Sequence, residues 1–103
     1  MHFAGQIVAP GEEPRFYDDI GCLASALARP LPERAVAFVA DHRTGVWVSA
    51  EAAVFTRVET LSTPMGSHLV AHVDAASRDQ DKDVKGGVPV TADEALGRSG
   101  APR

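Results

Sequence analysis

A chain of 103 residues with 45% hydrophobic content can bury one small core and is too short to divide into two. Its formal charge of −4 and its dispersed arginines, with Lys82 and Lys85 set among Asp79, Asp81 and Asp83, argue against a nucleic-acid surface, which needs clustered cations. A single cysteine excludes an internal disulfide and any all-cysteine zinc site, no apolar run approaches the ~20 residues that span a bilayer, and Met1-His2-Phe3 does not open a secretion signal.

Phe3 to Val8 reads as a strand closed by the Pro10-Gly11 turn, with Arg15 to Tyr17 as its returning partner. Ile20, Leu23, Ala24 and Leu27 then fall at the i, i+3, i+4, i+7 spacing of an amphipathic helix, capped by Asp18 or Asp19 and stopped by Pro30. Ala35 to Ala40 and Val46 to Val48 flank the turn Asp41-His42-Arg43-Thr44-Gly45, which predicts a second hairpin. Ser49 is placed to cap a single helical turn through Glu51 and Ala53. Strands are expected at Val54 to Val58 and Leu69 to Val73.

Beyond Val73 polarity rises, and the run Arg78-Asp79-Gln80-Asp81-Lys82-Asp83 reads as solvated or mobile. Val88-Pro89-Val90 follows Gly86-Gly87, and Thr91 with Glu94 has capping-box spacing for a short helix through Leu96. The order predicts an α+β fold, a small mainly antiparallel sheet with one or two packed helices and two loosely similar hairpin-plus-helix halves. Residues 1–96 are expected to form one domain and 97–103 a flexible tail.

Two segments carry chemistry. Phe16-Tyr17-Asp18-Asp19-Ile20-Gly21-Cys22-Leu23 holds the one cysteine, and Thr63-Pro64-Met65-Gly66-Ser67-His68 sets a methionine on a Pro-Gly turn with His68 and His72 behind it. Thiolate, thioether and imidazole form the donor set that soft Cu(I) prefers. Each donor also has a plain structural reading: Cys22 as a packed thiol, Met65 as a plug at the end of the core. Cys22 lies ~160° from the centre of the helix stripe, so it points away from the main apolar face. On one strand face His68 and His72 would sit ~13 Å apart, so at most one joins Met65, and His68 is nearer in sequence. Asp18 and Asp19 serve more simply as caps than as an acid-base pair, and His2 and His42 read as surface residues.

These segments, together with Ala4-Gly5-Gln6-Ile7, Thr44-Gly45-Val46-Trp47-Val48-Ser49-Ala50 and Gly86-Gly87, resemble the NosL family in order from residue 4 to about residue 96. NosL proteins are accessory lipoproteins of nitrous-oxide reductase that bind Cu(I) and help supply copper to that enzyme. The resemblance implies Met65 as a copper ligand, matches Cys22 to a cysteine that many relatives show after the Asp-Asp-Ile-Gly stretch, and implies a chaperone rather than an enzyme, with His68 added as a partner by its spacing from Met65. It implies an extracytoplasmic, periplasmic setting, and copper-enzyme maturation machinery or a recipient copper protein as partner. No nucleic acid is involved, and a membrane enters only through a lipid anchor that this sequence does not carry. Relatives usually have a lipobox cysteine and a Cys-Gly-Met-like segment ahead of the first strand. Its absence here implies a truncated start or a copper site lacking part of its ligands, which a homodimer could complete. Two rival readings stand beside this one: an interaction domain that keeps the fold without metal, and a Cys22-dependent enzyme, since the family's fold is similar to that of organomercurial lyase.

Overall fold

The computed structural model describes residues 2–97. Its α+β architecture is assembled from two antiparallel sheets and three short helices. β1 (Gly5–Val8) and β2 (Arg15–Tyr17) form the first hairpin, followed by α1 (Ile20–Leu27), β3 (Val36–Ala40) and β4 (Trp47–Ser49). β5 (Val54–Arg57) and β6 (Leu69–His72) form the next, followed by α2 (Ala75–Asp79), a 3-10 turn over Lys82–Val84, β7 (Val88–Val90) and α3 (Ala92–Ala95).

The sheet orders are β2-β1-β3-β4 and β6-β5-β7. In each half a hairpin leads into a helix, and the next strand pairs antiparallel on the free side of the hairpin's first strand. The likeness of the two halves is thus a shared ββαβ topology, with β4 and α3 as additions. The strands do not merge into one sheet. Among the described residues a single parallel bridge between Asp41 and Ala71 links the two, with the His42 amide donating to the Ala71 carbonyl at 2.7 Å.

Local chemistry accounts for the helices. Asp19 is extended (φ −148°, ψ 143°) and its carboxylate accepts from the Gly21 amide, which caps α1, while Ile20 and Leu23 of the apolar stripe are fully buried. A Cβ on Gly5 would stand 2.7 Å from Leu23 Cδ2, so the missing side chain lets α1 lie directly on β1. Thr91 and Glu94 form the expected capping box on α3, which buries Ala95 and presents buried Leu96 at its end. The core unites both halves, with Ile7, Ile20, Leu23 and Val39 from the first and Phe55, Leu69, Ala71 and Leu96 from the second.

Two local expectations change. The charged run after Val73 is ordered: Asp74 caps α2, Asp81 caps the 3-10 turn, and Asp81 and Val84 are buried. Asp81 and Asp83 are held by a backbone amide and by His72 and His42, and Arg78 pairs with Asp79. His68 lies outside β6, in a left-handed conformation (φ 61°), so it does not share a regular strand face with His72. Ser49 caps a single helical turn as expected, its Oγ accepting from Glu51 N–H at 3.3 Å and its carbonyl from the Ala52 and Ala53 amides at 3.0 Å. Of the expected tail, only Gly97 falls within the described residues.

Candidate functional site

The connection between β5 and β6 carries Met65. Gly66 N–H donates to the Thr63 carbonyl at 3.1 Å, closing a turn with Pro64 and Met65 at its centre. Proline presets the backbone at the second position of such a turn, and Gly66 (φ 77°) supplies the left-handed step that follows. The loop is braced further by His68 N–H on Thr63 Oγ1 (3.1 Å), Leu69 N–H on Ser67 Oγ (3.2 Å) and the His68 Nδ1 contact with the Leu61 carbonyl (3.0 Å). Met65 is left 70% exposed.

This loop is seated on the start of α1. Asp19 Oδ1 accepts from Gly21 N–H at 2.7 Å, while Asp19 Oδ2 accepts from Met65 N–H at 3.0 Å. A Cβ on Gly21 would meet Ser67 Cβ at 2.9 Å, so the helix and loop are in close contact there. Burial alone would raise the Asp19 carboxyl. Hydrogen bonds from Ser67, Thr63, Met65 and Gly21 outweigh it and hold the group below its ordinary value. Besides capping α1, the one carboxylate thus ties the backbone of Met65 to the helix that carries Cys22.

Cys22, in the first turn of α1, is half-buried and lines a hollow of about 450 Å³ with Arg15, Tyr17 and Ser25. Met65 and His68 are not among the residues lining that hollow. The fold joins the two predicted segments through Asp19 without gathering Cys22 and His68 into a closed ligand set. An open, low-coordination arrangement is chemically suited to metal exchange, and thioether and thiolate donors suit a soft cation. No family model matches the chain, and no curated protein or solved structure matches it.

A second set of polar side chains converges where the two halves meet. Among the described residues, His42, Asp81 and Asp83 are the group of histidine, cysteine or carboxylate residues whose ligand atoms all lie within 4.8 Å of one another. His42 Nε2 is 3.0 Å from Asp83 Oδ2, and buried His72 sets its Nε2 2.8 Å from Asp81 Oδ2. Asp81 Oδ1 accepts from Asp83 N–H at 3.0 Å. Burial would raise the Asp81 carboxyl, but the hydrogen bonds from His72 and the Asp83 amide keep it low.

Next to it, buried Asp41 accepts from Arg43 N–H, Thr44 N–H, Val73 N–H and Ser77 Oγ–H at 2.8 to 3.0 Å. Burial opposes its ionisation, yet these bonds lower its pKa from 3.8 to about 2. Sequence reasoning gave His42 no role and left His72 without one. The partners stand 41 and 9 residues away, with no spacing motif to announce them.

Proposed function

We propose that this protein is a Cu(I)-binding, metallochaperone-like carrier that takes the ion at Met65, with Cys22 and His68 as assisting donors, and passes it to a recipient copper protein. The observation that carries the reading is an exposed thioether on a braced base, since the Met65 backbone is fixed by the carboxylate that caps the Cys22 helix. A thioether needs no deprotonation to bind, and an exposed one can be reached by an incoming ligand of the recipient. The resemblance to NosL makes copper-enzyme maturation, such as that of nitrous-oxide reductase, the setting, in an extracytoplasmic compartment. The protein acts as a carrier and not as an enzyme.

An anaerobic Cu(I) competition titration on wild type, Met65→Ala and Cys22→Ser tests this. One ion should bind tightly, at least tenfold more weakly in Met65→Ala, about 1.4 kcal/mol. Asp19→Ser, which keeps a capping oxygen for α1 but loses the second oxygen on Met65, should fold and bind less tightly than wild type. Affinity no better than that of a lone thiol, or unaffected by Met65→Ala, would defeat the proposal.

One observation favours the rival interaction-domain reading. Register places Phe16, Gln6 and Phe38 in one row across the four-stranded sheet, on the face opposite the one β1 turns to α1 through Gly5. Phe16 is 61% exposed, with its ring 6.3 Å from that of Trp47. An apolar outer sheet face of this kind suits protein contact. Size-exclusion chromatography with and without Cu(I) separates the two: a copper-independent assembly with no Cu(I) affinity belongs to the interaction domain.

A further inference from the structure

We infer that His42, Asp81 and Asp83 form a second metal site, separate from Met65, that takes a borderline divalent cation of the Zn2+ class. Both ring nitrogens of His42 face acceptors. Nδ1 is 3.2 Å from the His2 carbonyl oxygen, and Nε2 is 3.0 Å from Asp83 Oδ2. A neutral imidazole has one N–H to give. A cation between Nε2 and Asp83 would require that N–H to be given to the His2 carbonyl, which Nδ1 is placed to reach, so that the Nε2 lone pair faces the carboxylate. Asp81 adds a further carboxylate to the same space, with all three ligand atoms within 4.8 Å.

Behind this set, His72 fixes Asp81. Its Nδ1 is buried with no partner among the described residues, so the pattern puts its proton on Nε2, where it donates to Asp81 Oδ2. A neutral His72 orients Asp81 without cancelling its charge. With His42 in that tautomer, two carboxylates and one imidazole lone pair converge with a formal charge of −2, which a divalent cation balances. A histidine whose other N–H is spent on a backbone carbonyl, and a carboxylate held by a hydrogen bond from behind, are the supports that orient metal ligands in established sites.

Geometry and access are compatible with an ion. Zinc bonds of about 2.0–2.2 Å place tetrahedral ligand atoms about 3–4 Å apart. The present spread reaches that by rotation of Asp83, whose side chain is 61% exposed. A hollow of about 460 Å³ bounded by Phe3, Leu61 and Arg43 opens onto the three ligands and leaves room for water or an outside ligand to complete the shell. The donor set is nitrogen and oxygen with no sulfur, which suits Zn2+, Co2+ or Ni2+ and disfavours Cu(I).

The test uses the full chain without a histidine tag. Zn2+ is titrated calorimetrically, Co2+ is followed by visible absorption, and wild type is compared with Asp83→Asn, His42→Gln and Met65→Ala. Wild type should bind one Zn2+, and Co2+ should give the ligand-field bands of a site with a nitrogen donor. Asp83→Asn, at an exposed position that does not threaten folding, should weaken Zn2+ at least tenfold, while Met65→Ala leaves it unchanged. Equal Zn2+ affinity in wild type and Asp83→Asn, or no Co2+ bands in wild type, would overturn the inference. The copper reading is separable, because Met65→Ala should impair Cu(I) alone and Asp83→Asn Zn2+ alone.

Discussion

Two buried aspartates link segments distant in the chain. Asp19 joins the Met65 loop to α1, and Asp41 joins the turn after β3 to the start of α2 through Val73 and Ser77. Each carboxylate accepts from several donors, so removing one strands buried amides and hydroxyls at about 1–3 kcal/mol apiece. Asp41 has a signature in pH. Its folded pKa of about 2 lies below the ordinary 3.8, so its stabilisation is complete above pH 3.8 and disappears as pH falls toward 2. Urea midpoints measured from pH 5 down to 2 should fall steeply for wild type. Asp41→Asn should be less stable by about 2 kcal/mol at neutral pH and flatter across that window.

Among the elements, short strands and helices of three to eight residues depend on close packing, since none is long enough to hold itself. The contact of β1 with α1 is the clearest case. Gly5 faces Leu23 Cβ at 3.1 Å and Cγ at 3.2 Å as well as Cδ2, so a methyl group cannot be accommodated by turning the end of the leucine. Gly5→Ala should destabilise the protein by about 1–3 kcal/mol. Thermal unfolding followed by circular dichroism would show this as a lowered Tm with unchanged native spectrum. Position within a sheet also explains why Pro89 is tolerated in β7: among the described residues the strand pairs only with β5 and occupies the edge.

For the whole molecule, the two ββαβ halves are alike in topology but not independent. The Asp41 and Asp19 bonds cross between them, the Asp41–Ala71 bridge joins their sheets, and one core takes side chains from both. A fragment of residues 1–53 or of residues 54–103 should therefore remain unfolded alone, with collapsed amide dispersion in its NMR spectrum. Mixing the two should restore dispersed signals if the shared core suffices for association. A separately folded half would show that the crossing bonds are incidental. The proposed Zn2+ site belongs to this scale too, because His42 comes from one half and Asp81 and Asp83 from the other.

Legible in the residues alone were the strand hairpins, the α1 stripe over Ile20, Leu23, Ala24 and Leu27, an aspartate cap at Asp18 or Asp19, which the structure resolves to Asp19, and the Thr91–Glu94 capping box. Those are local signals, written in spacing and in residues within a few positions of one another. Met65 was equally legible as a residue on a turn, because Pro64 and Gly66 state the backbone conformation directly. Packing in three dimensions was needed to split the strands into two sheets, to set Asp19 on the Met65 amide, and to order the charged run from Arg78 to Asp83. It alone brought His42 to Asp83 and His72 to Asp81. The reason is the same in each instance: such contacts join residues far apart along the chain, and their partners are fixed by how the two halves pack, which no local pattern encodes.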